Sequence, residues 1–249
     1  MLAIFKRELM AYFSTPIGYI VLAAYFFFLG LYFTIIYSAG SPDISMILMA
    51  MVTIIVFTMP LITMRLMSED RRQKVDQVLL TSPVKLSSIV LGKFFAAFTL
   101  YAIGFVPTVI FEMIIMSKIS VNILSFIYPL LGALLLGGTL IAIGMFISSL
   151  TESPVISAIL SLVVNFLAIY MSNFASMITV PEASTGFFAV IWEKIVEMFV
   201  NVLNKCAFIS VFENFGTNIF SVADVVYFLS IIAIFVFLSV RSLEKRRWS

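Results

Sequence analysis

Apolar residues run in six long stretches, at about residues 17–37, 44–66, 89–116, 123–149, 155–178 and 224–240. A helix needs roughly 20 apolar residues to cross a hydrocarbon core about 30 Å thick, and each stretch approaches or exceeds that length. The pattern predicts an all-α integral membrane protein with six transmembrane helices, organised as one domain over residues 1–249. Pro16 marks the entry to the first span, and SAGSPD (residues 38–43) supplies the Gly, Pro and polar residues of a tight turn into the second. The first apolar run is too long for a signal-peptide core and reads as a retained span.

The segments between spans carry patterns of their own. In residues 1–14, Ile4, Phe5, Leu9, Tyr12 and Phe13 recur at helical spacing with Lys6, Arg7 and Glu8 between them. That is the signature of an amphipathic helix lying in a membrane interface. Residues 67–88 change character abruptly and hold Glu69, Asp70, Arg71, Arg72, Lys74, Asp76 and Lys85. They cannot lie in lipid. Ser68 through Arg72 has helix-starting residues, and Val75, Val78, Leu79 and Leu80 give the next turns an apolar side, which predicts a short surface helix. Residues 179–223 are too apolar for a loop and too interrupted for spans. Phe188, Ile191, Trp192, Ile195, Phe199 and Val202 share a helical face there, and AFISVFENFGTNIFS mixes aromatic and polar residues. The expectation is an amphipathic helix followed by a short re-entrant helix.

Composition agrees with a membrane location. The 249 residues are 62% hydrophobic and 11% charged, with a mean hydropathy of +1.16, whereas soluble domains carry about 25% charged residues. Of fifteen Lys and Arg residues, twelve fall on the side that holds both ends of the chain and only Lys118, Lys194 and Lys205 on the other. The positive-inside bias therefore puts both termini in the cytoplasm of a multi-pass plasma-membrane protein. A net charge of +2 gives no footprint for nucleic acid. There is no histidine, and Cys206 is the sole cysteine, so an intrachain disulfide, a Cys/His zinc site and a histidine-activated nucleophile are excluded. No G-x-x-x-x-G-K-[ST] phosphate loop occurs, so the chain is expected to bind no cofactor itself.

A few residues inside the spans stand out. Glu112 is a carboxylate within a span, where a charge costs on the order of 3 kcal/mol; it either lines a substrate path or sits near the outer end, snorkelling or protonated. Ala133 and Gly137, and Gly138 and Ala142, are each four apart and permit close helix packing, within one subunit or between two. Pro60, Pro107 and Pro129 are expected to kink their spans. Ser148, Ser149, Ser157 and Ser161 read as serines bonding their own backbone or a neighbouring helix.

The order of residues in RLMSEDRRQKVDQVLLTSPVKLSSIVLGKF (65–94) resembles the first cytoplasmic loop of the ABC type-2 permeases, roughly R-[LM]-x-[AS]-E-[ED]-[RK]-R-x-G-T-[DE]-[QE]-L-L-L-T-[SA]-P-V followed by V-L-G-K-F. The basic amphipathic start and the end FENFGTNIFSVADVVYFLSIIAIFVFLSVRSLEKRRW are similar to the same family. The resemblance implies that residues 67–88 form a coupling helix docking into a groove of a separate ATPase. Glu69, Asp70, Arg71, Arg72, Asp76, Gln77, Thr81, Ser82 and Pro83 match its pattern. It further implies ATP and Mg2+ on that ATPase, a second copy or a related permease as partner, and usually export of a lipid-linked, hydrophobic or peptide substrate. Glu69→Lys with Asp70→Lys is expected to uncouple transport. Lys74-Val75 departs from the family's Gly-Thr, a change compatible with a continuing helix. The alternative function is an ATPase-coupled mechanical or regulatory membrane protein that moves no solute.

Overall fold

A computed structural model describes residues 1–40, 43–75, 85–118, 122–177, 196, 207–217 and 219–247. Among them are α1 (Leu2–Ser14), α2 (Pro16–Ser38), α3 (Ile44–Thr63), α4 (Ser68–Arg72), α5 (Leu86–Gly104), α6 (Val106–Met116), α7 (Leu124–Leu150), α8 (Pro154–Met177), α9 (Phe208–Gly216) and α10 (Val222–Arg247). Among the described residues, six helical segments are long and apolar enough to cross a membrane: Pro16–Ser38, Ile44–Arg72, Leu86–Met116, Leu124–Leu150, Pro154–Phe174 and Val222–Arg246. No strand occurs among the described residues.

The helix boundaries follow from local chemistry. Thr15 is extended (φ −115°, ψ 154°) and separates α1 from α2, where Pro16 opens the first turn and its missing N–H has no helical acceptor to lose. Asp43 caps α3 by accepting from the Ser45 N–H at 2.9 Å. The third span, expected as one run, is two helices with a break at Phe105 (φ −94°, ψ 0°). Pro107 lies in the first turn of α6 and cannot donate back to the preceding helix, so the ladder restarts there. Pro60 and Pro129, by contrast, lie inside α3 and α7.

The bundle is organised around α7, which touches α3, α5, α8, α9 and α10. Of its most apolar window 72% is buried, against 11% for α10, so α7 is the axis and α10 a peripheral helix. Close approach of α5 to α7 depends on Gly137. A Cβ there would overlap Cε1 and Cζ of Tyr101, whose hydroxyl donates to the Ala133 carbonyl at 2.6 Å. Gly138 faces Ile232 of α10 and Phe98 of α5, and Ala142 is buried. Ala133, Gly137 and Gly138 thus meet helices of this same chain. Tyr101 also packs against Tyr25 (6.0 Å) and Phe105 (4.9 Å), and the Tyr25 hydroxyl pairs with Thr58 Oγ1 at 2.7 Å.

At the opposite end from α4, α9 buries Phe212 and Phe215 against α7, and Asn214 Nδ2 donates to Asp224 Oδ2 of α10 at 2.9 Å. The amphipathic face expected at residues 188–202 lies outside the described residues, Val196 apart.

Candidate functional site

One end of the bundle gathers α1, α4, the start of α5, the junction of α7 with α8 and the last turns of α10. Its centre is Lys93 of α5, only 1% exposed although it is a lysine. An isolated ammonium at such a site is strongly disfavoured. Lys93 Nζ donates to Glu8 Oε1 of α1 at 3.0 Å and lies 2.8 Å from Asp70 Oδ2 of α4. Arg7 adds a second cation, 2.6 Å from Glu8 and 4.0 Å from Asp70. Two positive and two negative charges balance.

The electrostatics of Glu8 follow from this cluster. Burial alone would push its carboxyl up, but the Lys93 charge, with hydrogen bonds from Arg7 and Lys93, outweighs burial and holds it below the usual carboxylate range. Burial pushes the Tyr12 phenol up, so it stays a neutral donor, bonded to the Ile62 carbonyl at 2.7 Å.

A short helix has few internal bonds, and α4 is held largely by partners distant in sequence. Ser148 Oγ of α7 accepts from the Met67 and Ser68 N–H groups, both at 3.1 Å, and donates to the Met64 carbonyl at 3.2 Å. Arg65 pairs with Glu69 and donates to Thr15 Oγ1 at 2.8 Å. Arg71 pairs with Glu152 beyond the end of α7. Arg246 of α10 donates to the Ser149 carbonyl, as does Ser242 at 3.5 Å. A cavity of about 310 Å³ lies between α1, the end of α3 and α4, walled by Arg7, Glu8, Tyr12, Arg65, Glu69 and Asp70 among others.

The surface segment is interrupted after the first helical turns. Helix α4 ends at Arg72, and Lys74 takes φ 57°, a left-handed conformation that does not continue a helix. Lys74, compatible by propensity with a continuing helix, does not continue it here: it stands where the resemblance places Gly, the residue that adopts this conformation without steric cost. Of the residues expected to face a partner, Glu69, Asp70 and Arg71 are engaged by this chain's own side chains, while Arg72 is exposed, as are the neighbouring Gln73 and Lys74. Asp76, Gln77, Thr81, Ser82 and Pro83, with Val78, Leu79 and Leu80, lie outside the described residues.

Lys93, Glu8 and Glu152 were not singled out as site residues, whereas Ser148 was read as bonding its own backbone or a neighbouring helix, and it bonds the Met64–Ser68 segment. The available signal was Lys93 itself, a charge seven residues inside an apolar helix that needs a counter-charge. Glu112 lies far from this end, 4% exposed, with Oε1 lacking a hydrogen-bond partner among the described residues. Ser157, Ser161 and Asn165 form a buried stripe on α8 with side chains likewise unpartnered there, whereas Ser149 bonds the Phe146 carbonyl at 2.7 Å. No group of three or more acidic, Cys or His residues is placed to hold a metal among the described residues.

A family model described as ABC-2 type transporter matches residues 1–190. Comparison with curated proteins gave no match.

Proposed function

The chain belongs to the ABC-2 type transporter family, and on that premise we propose that it is the permease subunit of an ATP-driven exporter, coupled to a separate ATPase through residues 67–88. Two copies, or one copy with a related permease, enclose the route, and the ATPase supplies ATP and Mg2+ chemistry. The end bearing α4 faces the cytoplasm of a plasma-membrane protein, in keeping with the twelve-to-three distribution of basic residues.

The observation that carries this reading is the anchoring of α4. A soluble motor can move membrane helices only through a contact that does not yield, and α4 is tied to α1, α5, α7 and the turn after α7 by side-chain bonds on several sides. Arg72 at its end and Lys74 just beyond it are exposed and available to meet a partner, and charges there set orientation and partner choice. Glu69 and Asp70 act differently from a docking surface: reversing Asp70 places a lysine beside Lys93, so Glu69→Lys with Asp70→Lys uncouples transport by loosening α4 itself.

The test uses the ATPase that co-purifies with the wild-type chain. Arg72→Glu with Lys74→Glu is expected to cut its capture and ATP-dependent vesicle transport together. Unchanged capture and transport by this variant after reconstitution sinks the coupling assignment. Capture and ATP hydrolysis without movement of any lipid-linked, hydrophobic or peptide cargo by the wild type favours the mechanical or regulatory function.

A further inference from the structure

Surface helices that receive a mechanical input are useful only if they pass it on. The chain connection between α4 and α5 runs through residues 73–85, so a second, direct route matters. Lys93 supplies one. Its carboxylate partners Glu8 and Asp70 lie 85 and 23 positions before it, on helices that are not consecutive in the chain. An ammonium has three N–H donors and can serve both carboxylates at once, which a single hydroxyl or amide donor cannot do with comparable strength.

The neighbouring position adds a second observation. Gly92 lets α1 sit directly on α5: a Cβ there would come within 3.1 Å of Ile4 Cγ2 and 3.3 Å of the Met1 carbonyl. Thus α1 is not merely laid on a lipid surface. It rests on the helix that carries Lys93 and closes over that side chain, while Tyr12 and Thr15 tie it to the end of α3 through the Ile62 carbonyl and Arg65.

We infer that Lys93 is a positioning residue that clasps α1 and α4 to the third span, so that a displacement of α4 reaches α5 through a shared side chain and carries α1 with it. Departure of either helix leaves the Lys93 ammonium short of a counter-charge, so separation of the three elements is opposed. The transmission role rests on the coupling function proposed above for α4; the clasp itself does not.

Hydrogen exchange of the full chain in lipid nanodiscs tests the clasp without any partner. Lys93→Met is expected to raise exchange about tenfold or more in both α1 and α4, Glu8→Gln in α1, and Asp70→Asn in α4. Lys93→Arg, which keeps the charge, restores protection, and α7 stays unchanged throughout. If Lys93→Met also unprotects α7, the variant is misfolded and the two carboxylate variants, which retain Lys93, decide. Wild-type exchange in α1 and α4 when their acceptor or Lys93 is neutralised overturns the clasp. In the complex with the co-purifying ATPase, ATP and Mg2+ are expected to alter α5 exchange in wild type and Lys93→Arg but not in Lys93→Met. An α5 that still responds in Lys93→Met overturns the transmission role. Failure of the wild type to capture an ATPase counts against the coupling function and leaves the clasp to the exchange data.

Discussion

Replacing Gly137 by alanine gives a sharp test of the α5–α7 contact, because Gly30 provides a matched control. Both glycines lie within helices, and the intrinsic gain from Gly to Ala, about 1 kcal/mol, applies to each. A Cβ at Gly30 meets nothing within 4 Å, so Gly30→Ala is expected to gain about 0.5–1 kcal/mol. At Gly137 the added methyl overlaps the Tyr101 ring. That ring is fully buried, held by its bond to the Ala133 carbonyl and flanked by Tyr25 and Phe105, so it has no free direction of retreat. Overpacking costs about 1–3 kcal/mol, and a stretched buried hydrogen bond about 1–3 more. After the helix gain, Gly137→Ala should destabilise by about 3 kcal/mol, roughly 4 below Gly30→Ala. Reversible unfolding in mixed micelles by titration with SDS, followed by circular dichroism, measures the difference. Tyr101→Ala should cost less in the Gly137→Ala background than alone, since it removes the ring that clashes. Stabilities of the two glycine variants within about 0.5 kcal/mol of each other would refute the close approach of α5 and α7.

Further outcomes follow from the charged end. Ser148→Ala strips the acceptor from the Met67 and Ser68 N–H groups and should cost about 1–3 kcal/mol, with exchange in α4 rising while α5 keeps its protection. Lys74→Gly should relieve the left-handed residue and steady residues 68–75 by about 0.5–1 kcal/mol, whereas Lys74→Ala, equally strained, should not; hydrogen exchange of that segment distinguishes them. Glu8 titrates below its ordinary value of 4.5, so its contribution is complete above about pH 4.5 and disappears as the pH falls through the lowered value. Wild type should therefore exceed Glu8→Gln in stability at neutral pH, with the gap closing in acid; a gap independent of pH counts against the ion pairs.

The spans were legible because hydrophobicity over 17 or more residues leaves a chain few alternatives to a membrane helix. The break at Phe105 was signalled by Pro107 but expected as a kink, since a proline fixes where a ladder is interrupted and not how sharply. The end of α4 was obscured for a different reason. Lys74 has good helical propensity, and its left-handed conformation is imposed by the surrounding turn, which single-residue preference does not encode. Glu69 and Asp70 were readable as charges that belong outside lipid, but their inward pairing depends on Arg65 and Lys93 being brought alongside by folding. Ser148 is the extreme case: a serine in an apolar helix looks like many others, and its role exists only once α4 lies next to it.

That serine also imposes an order of assembly. The two amides it accepts belong to residues made some 80 positions earlier, and Glu152 and Arg246 follow later still. A nascent chain whose first three spans are already inserted therefore has the Lys93 and Arg65 pairs of α4 but not the bonds from Ser148 and Glu152. Only when the fourth span enters beside the second does the helix gain its cap. The surface is completed from behind, by parts of the protein synthesised after it, so an unfinished or truncated chain presents no finished surface to a partner waiting at the membrane.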